Sequence, residues 1–122
     1  TGHRIFVGGA VHQPGLYTIP GRISALQAVM QAGGFRTTAM PKETLVIRKG
    51  PDRKPIPINV DLASVMNASE NASDFMLQPE DIVYVPMSPI AKANLFVSQY
   101  IEQLLLFRGV SFGFSYELNR AD

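Results

Sequence analysis

Apolar and polar positions along the chain divide it into short strands, a short helix and one long helix. Arg4 to Val11 reads as a strand, and Gly8-Gly9 inside it predicts a bulge or a close backbone approach. His12-Gln13-Pro14-Gly15 predicts a turn, with proline ahead of glycine as type II turns prefer. Leu16 to Ile19 predicts a second strand that closes a hairpin, ended by Pro20-Gly21. Ser24 opens a helix. Ser24-Ala25-Leu26-Gln27 fits a capping box, in which the serine hydroxyl takes the N3 amide and Gln27 reaches back. Leu26, Val29 and Met30 recur at helical spacing and predict its buried stripe. Gly33-Gly34 supplies the left-handed stop. So short a helix depends on packing against a sheet.

Phe35 to Lys42 reads as a loop, followed by strands over Thr44 to Lys49 and Ile56 to Val60 with a hairpin loop at 50–55. Ile56, Ile58 and Val60 alternate with Pro57 and Asn59, the period of a half-buried strand, and Pro57 places that strand at an edge or bulge. Asp61 to Met66 predicts a helical turn. Asn67 to Ser73 is small and polar. Its Asn67-Ala68-Ser69 and Asn71-Ala72-Ser73 match the N-glycosylation acceptor pattern, and read more simply as a solvated loop. Leu77 to Asp81 is a turn, Ile82 to Pro86 a closing strand, and Met87-Ser88-Pro89 a break. This order predicts an α+β domain over residues 1–89, a β-grasp-like mixed sheet curled around one helix.

Residues 90–109 form the second part. Ile90 to Arg108 lacks proline and glycine. At about 100° per residue, Ile90, Ala93, Phe96, Val97, Tyr100, Ile101, Leu104 and Phe107 share one face. Lys92, Asn94, Ser98, Gln99, Glu102 and Gln103 share the other, with Leu95, Leu105 and Leu106 intruding. Such a helix must bury one face. Its length, roughly 28 Å, approaches one bilayer core. A lone span is disfavoured because Glu102, near the centre, costs about 2.5–3.5 kcal/mol on insertion scales. Three settings satisfy both faces: packing on protein, lying at a membrane interface, or joining a ring of helices with polar sides around water. Gly109 stops the helix. In the tail, 110–122, Val110, Phe112, Phe114, Tyr116 and Leu118 alternate with polar or small residues. That is a strand signal, for an edge strand folding back, an interfacial aromatic anchor, or pairing with a neighbouring subunit.

Composition narrows the function classes. The chain has 122 residues, 46% hydrophobic and 17% charged, with net charge +1, which describes a globular domain of modest core. No basic stripe points to nucleic acid. Without cysteine there is no disulfide framework, thiol nucleophile or Cys-based zinc site. His3 and His12 fall at a chain end and a turn, so no metal or cofactor is expected. Asp52, Asp61, Asp74 and Asp81 read as turn-capping and solvated acids. Arg4, Arg22, Arg36, Arg48 and Arg53 read as dispersed surface charge. Neither glycine pair makes a phosphate loop. No catalysis is expected. The chain enters a strand almost at once and lacks a leading apolar segment, which suggests a fragment.

Val7-Gly8-Gly9-Ala10-Val11, Pro14-Gly15 and a helix ending Ala32-Gly33-Gly34 resemble the opening of an SLBB (soluble ligand-binding β-grasp) domain. Leu77-Gln78-Pro79-Glu80-Asp81 and the strand Ile82 to Pro86 are similar to that family's closing segment, with Glu80 where glycine is common. The resemblance covers Arg4 to Pro86. With a terminal amphipathic helix it extends to the outer-membrane polysaccharide export family, the Wza-type exporters. That resemblance implies a homo-oligomeric ring, usually octameric, anchored by an N-terminal lipid. The ring's helices would form a barrel through the outer membrane, around a path for capsular or exopolysaccharide. An inner-membrane polysaccharide co-polymerase would dock below. Ile90, Phe96, Val97, Tyr100, Ile101, Leu104 and Phe107 would then face lipid, and Ser98, Gln99, Glu102 and Gln103 the lumen. The alternative is a soluble periplasmic SLBB ligand-binding or scaffold module, its helix packed on a partner or on its own sheet.

Overall fold

A computed structural model describes residues 3–51, 54–67 and 74–103. Strands β1 (His3–Gly9), β2 (Gly15–Ile19), β3 (Thr44–Lys49), β4 (Pro55–Val60) and β5 (Ile82–Val85) form one sheet in the order β2-β1-β5-β3-β4. β1 and β5 run parallel at its centre, and the other neighbours are antiparallel. This is the mixed sheet expected from the element order. Helices α1 (Ala25–Gln31) and α2 (Leu62–Met66), with a 3-10 turn at Pro41–Glu43, complete the body, and α3 (Ala93–Gln103) follows it.

Local chemistry explains the helix boundaries. The Ser24 hydroxyl accepts from Gln27 N and the Gln27 side chain accepts from Ser24 N at 2.9 Å, so the capping box is present. Asp74 strengthens it by accepting from Ser24 Oγ at 2.6 Å and from Leu26 N. Gly33 and Gly34 both stand at φ near +90°, ending α1. Asp61 caps α2 by accepting from Ser64 N. That backbone bond holds its carboxyl below the ordinary carboxylate value.

Three expectations are corrected. Gly15 does not take the positive φ of a type II turn. It opens β2 opposite Val7, and the bend is held instead by Gln13 N donating to Ala32 O and His12 N to Gly34 O. The buried stripe of α1 is Ala25, Ala28, Val29 and Ala32, while Met30 is 49% exposed and Leu26 half-buried. Alanines let the helix axis approach the sheet closely, which turns the longer side chains to its flank. In β4, Ile56 is exposed, because an edge strand offers its outer end little cover. Pro57 does lie at the edge.

Strand alternation sorts the core into two layers. Ile5, Val7, Val46, Val83 and Val85 meet α1 on one face of the sheet. Phe6, Leu45, Ile47 and Ile82 form the other face.

Glu80 occupies the turn before β5 at φ 69°, a left-handed backbone that favours glycine. Its carboxylate lies 3.5 Å from Arg4 and 3.6 Å from Lys49, both pairs exposed, so the ions offset little of the strain. Glu80→Gly is expected to be more stable than Glu80→Ala by about 1 kcal/mol in urea unfolding, since both lose the ions and only glycine relieves the backbone.

Candidate functional site

The sheet face formed by Phe6, Leu45, Ile47 and Ile82 is covered by α3. Val97 and Ile101 are 1% and 4% exposed against it, and Ile90, Phe96 and Tyr100 pack at the margin. Tyr84 joins that margin, its ring 4.8 Å from both Phe96 and Tyr100, which stack on each other at 5.7 Å. Burial there pushes the Tyr84 phenol up from its ordinary value. A Cβ at Gly8 would collide with the Tyr100 hydroxyl, and one at Gly9, at φ 88°, with the Val85 backbone. The glycine pair therefore serves two close approaches: Gly8 admits the helix, and Gly9 admits the neighbouring strand.

The residues expected to face lipid are thus turned onto the domain's own sheet in the case of Ile90, Phe96, Val97, Tyr100 and Ile101. Ser98, Gln99 and Gln103 point away from it and are exposed, and Glu102 is half-buried. Leu104, Phe107, the Gly109 stop, the tail strand, the paired acceptor motifs at 67–73, Asp52 and Arg53 lie wholly or partly outside the described residues. Among the described residues no helix is long and apolar enough to cross a membrane.

The acids behave less uniformly than their spacing suggests. Asp61 caps α2 at its own N-terminus, as expected, whereas Asp74 reaches across the fold to the start of α1, accepting from Ser24 Oγ and Leu26 N. Asp81 is instead 1% exposed. Its carboxylate accepts from Arg48 Nη2 at 2.7 Å, Arg48 Nε at 3.2 Å and Gln78 N at 2.8 Å. Arg48 also lies 5.0 Å over the Phe75 ring and donates to Met76 O. With all its donors inside the fold, this pair fastens the 74–81 connector to β3.

A second feature was not anticipated. Where β2 runs into α1, a concave groove of about 610 Å³ opens along the outer flank of the helix. Ile19, Ile23, Leu26 and Met30 make its apolar wall, and Arg22, Gln27 and Gln31 its polar rim. Among the described residues no carboxylate and no aromatic ring lines it. Its sequence signal is Leu26 and Met30, whose helical periodicity predicts a buried stripe but does not show that alanines displace it.

A mixed five-stranded sheet, one capped helix across one face and a second helix across the other define a β-grasp-like α+β module. The SLBB domain family model matches residues 3–85, and the chain belongs to that family. SLBB domains are found in polysaccharide export proteins. No curated protein matches the chain.

Proposed function

We propose that this chain is a non-catalytic subunit of an outer-membrane polysaccharide export channel, acting at the periplasmic side as one copy in a ring. The observation that supports it is an SLBB domain at 3–85 joined directly to an amphipathic helix. An inner-membrane co-polymerase is the proposed partner below. In this reading α3 stays docked. Moving Val97 and Ile101 into lipid would satisfy the helix but leave Phe6, Leu45, Ile47 and Ile82 uncovered, and two such side chains are worth about 3–6 kcal/mol of burial. Ala93–Gln103 is then a strut of the ring rather than a membrane wall.

Deleting the segment that encodes this chain is expected to abolish surface polysaccharide while synthesis of the lipid-linked precursor continues. Surface polysaccharide at normal level, measured on intact cells, would sink the channel reading. It would favour the second reading, a soluble periplasmic scaffold or ligand-binding module, which draws support from an apolar helix face already covered by its own sheet.

A further inference from the structure

We infer that the groove at the β2–α1 junction receives the outward ridge of α3 from a second copy of this chain, with Arg22 of one copy meeting Glu102 of the next. The inference rests on the ring proposed above and names the surfaces that would build it.

The groove is an apolar trough with one cation on its rim. Arg22 is exposed, and among the described residues no acid lines the groove and Arg22 has no ion pair. A matching ridge is present on α3. Leu95 is 53% exposed, and Gln99 and Glu102 follow it at the spacing that puts three residues on one helix stripe. Glu102 too has no ion pair among the described residues. The ridge from Leu95 to Glu102 is about 10 Å long. Leu26 and Met30 lie about 6 Å apart along α1, with Arg22 beyond the N-cap Ser24. With α3 laid antiparallel to α1, Leu95 against Leu26 and Met30 places Glu102 at the Arg22 end, which is the helix-in-groove mode of recognition.

The contact cannot form within one copy. α1 and its groove lie on one face of the sheet, and α3 lies on the other. Groove and ridge are thus two different patches on opposite sides of one subunit. That is a heterologous contact, the kind that closes into a ring when the rotation per subunit allows.

Sedimentation velocity of the 122-residue chain over a concentration series tests this. Wild type is expected to self-associate. Arg22→Glu and Glu102→Arg alone should each weaken association at least about tenfold, because each sets like charges together. An equimolar mixture of the two single variants should regain it, since every groove then meets a ridge of opposite sign. The R22E/E102R double variant should regain it as well. Association untouched by either reversal overturns the groove contact while leaving the ring intact. A wild-type chain that stays monomeric also overturns it, and the surface-polysaccharide measurement then judges the ring separately.

Discussion

Replacing Arg48 by methionine is expected to lower the unfolding free energy by about 3–5 kcal/mol, the usual result of stranding a buried charge. Urea unfolding followed by circular dichroism would measure it. Asp81 is 1% exposed and Arg48 22%, so water replaces little of what the guanidinium supplies. Gln78 N remains as a donor to the carboxylate, but one amide does not neutralise a charge. The loss should spread beyond the pair. Arg48 also holds Met76 O and covers Phe75, in the connector whose Asp74 caps α1. Leu77 N bonds Ile23 O and Ala25 N bonds Phe75 O in the same stretch. The Arg48→Met/Asp81→Leu double variant should recover much of the loss, since an apolar pair of similar volume often equals a buried ion pair. A double variant as unstable as the single one would mean that the connector, not the charge, governs the effect.

Val97→Asp should act differently. Val97 sits at the centre of the α3 seat, and a carboxylate there meets Phe6, Leu45, Ile47 and Ile82 with no cation among them. The chain has a cheaper response than global unfolding. The cost is capped at what docking contributes, a few kcal/mol after the entropy of ordering eleven residues offsets the burial. The helix should let go while the sheet and α1 persist. Limited proteolysis should then cut between 86 and 103 and leave a fragment ending near Val85. A dye that binds apolar surface should light up on the bared sheet face. Full loss of structure in Val97→Asp would show instead that α3 is integral to the fold and that the family boundary at residue 85 is not a physical one.

The contrast between these variants shows where the sequence was legible. Local rules read well wherever a side chain bonds its own neighbourhood. The Ser24–Gln27 box, the Gly33-Gly34 stop, the Asp61 cap and the edge position of Pro57 all depend on residues a few places apart. Long-range pairings did not read. Asp81 reads from the sequence as a solvated turn acid because its partner lies 33 residues earlier. The helical periodicity of residues 90–103 identified a face to be buried but not what buries it, since a sheet, a partner and a membrane all accept the same stripe. The α1 stripe failed for a further reason. Alanine scores weakly as hydrophobic, yet a helix that must lie close to a sheet needs small residues there, and close approach displaced Leu26 and Met30 to the rim where the groove forms.

The ring proposed above would add a demand that the edge strands meet. Subunits held side by side at high local concentration run the hazard of zippering backbone to backbone, an outcome that is hard to reverse. β4 is an outer strand, and Pro55 and Pro57 sit in it opposite Lys49 and Ile47. A proline in a strand must turn its missing donor away from the ladder, so the free margin of β4 is stripped of hydrogen at both positions. The other margin, β2, is held to five residues between Pro14 and Pro20. With its borders blunted in this way, copies of the domain in the proposed ring would recognise one another through side chains, a contact that can be parted and rejoined.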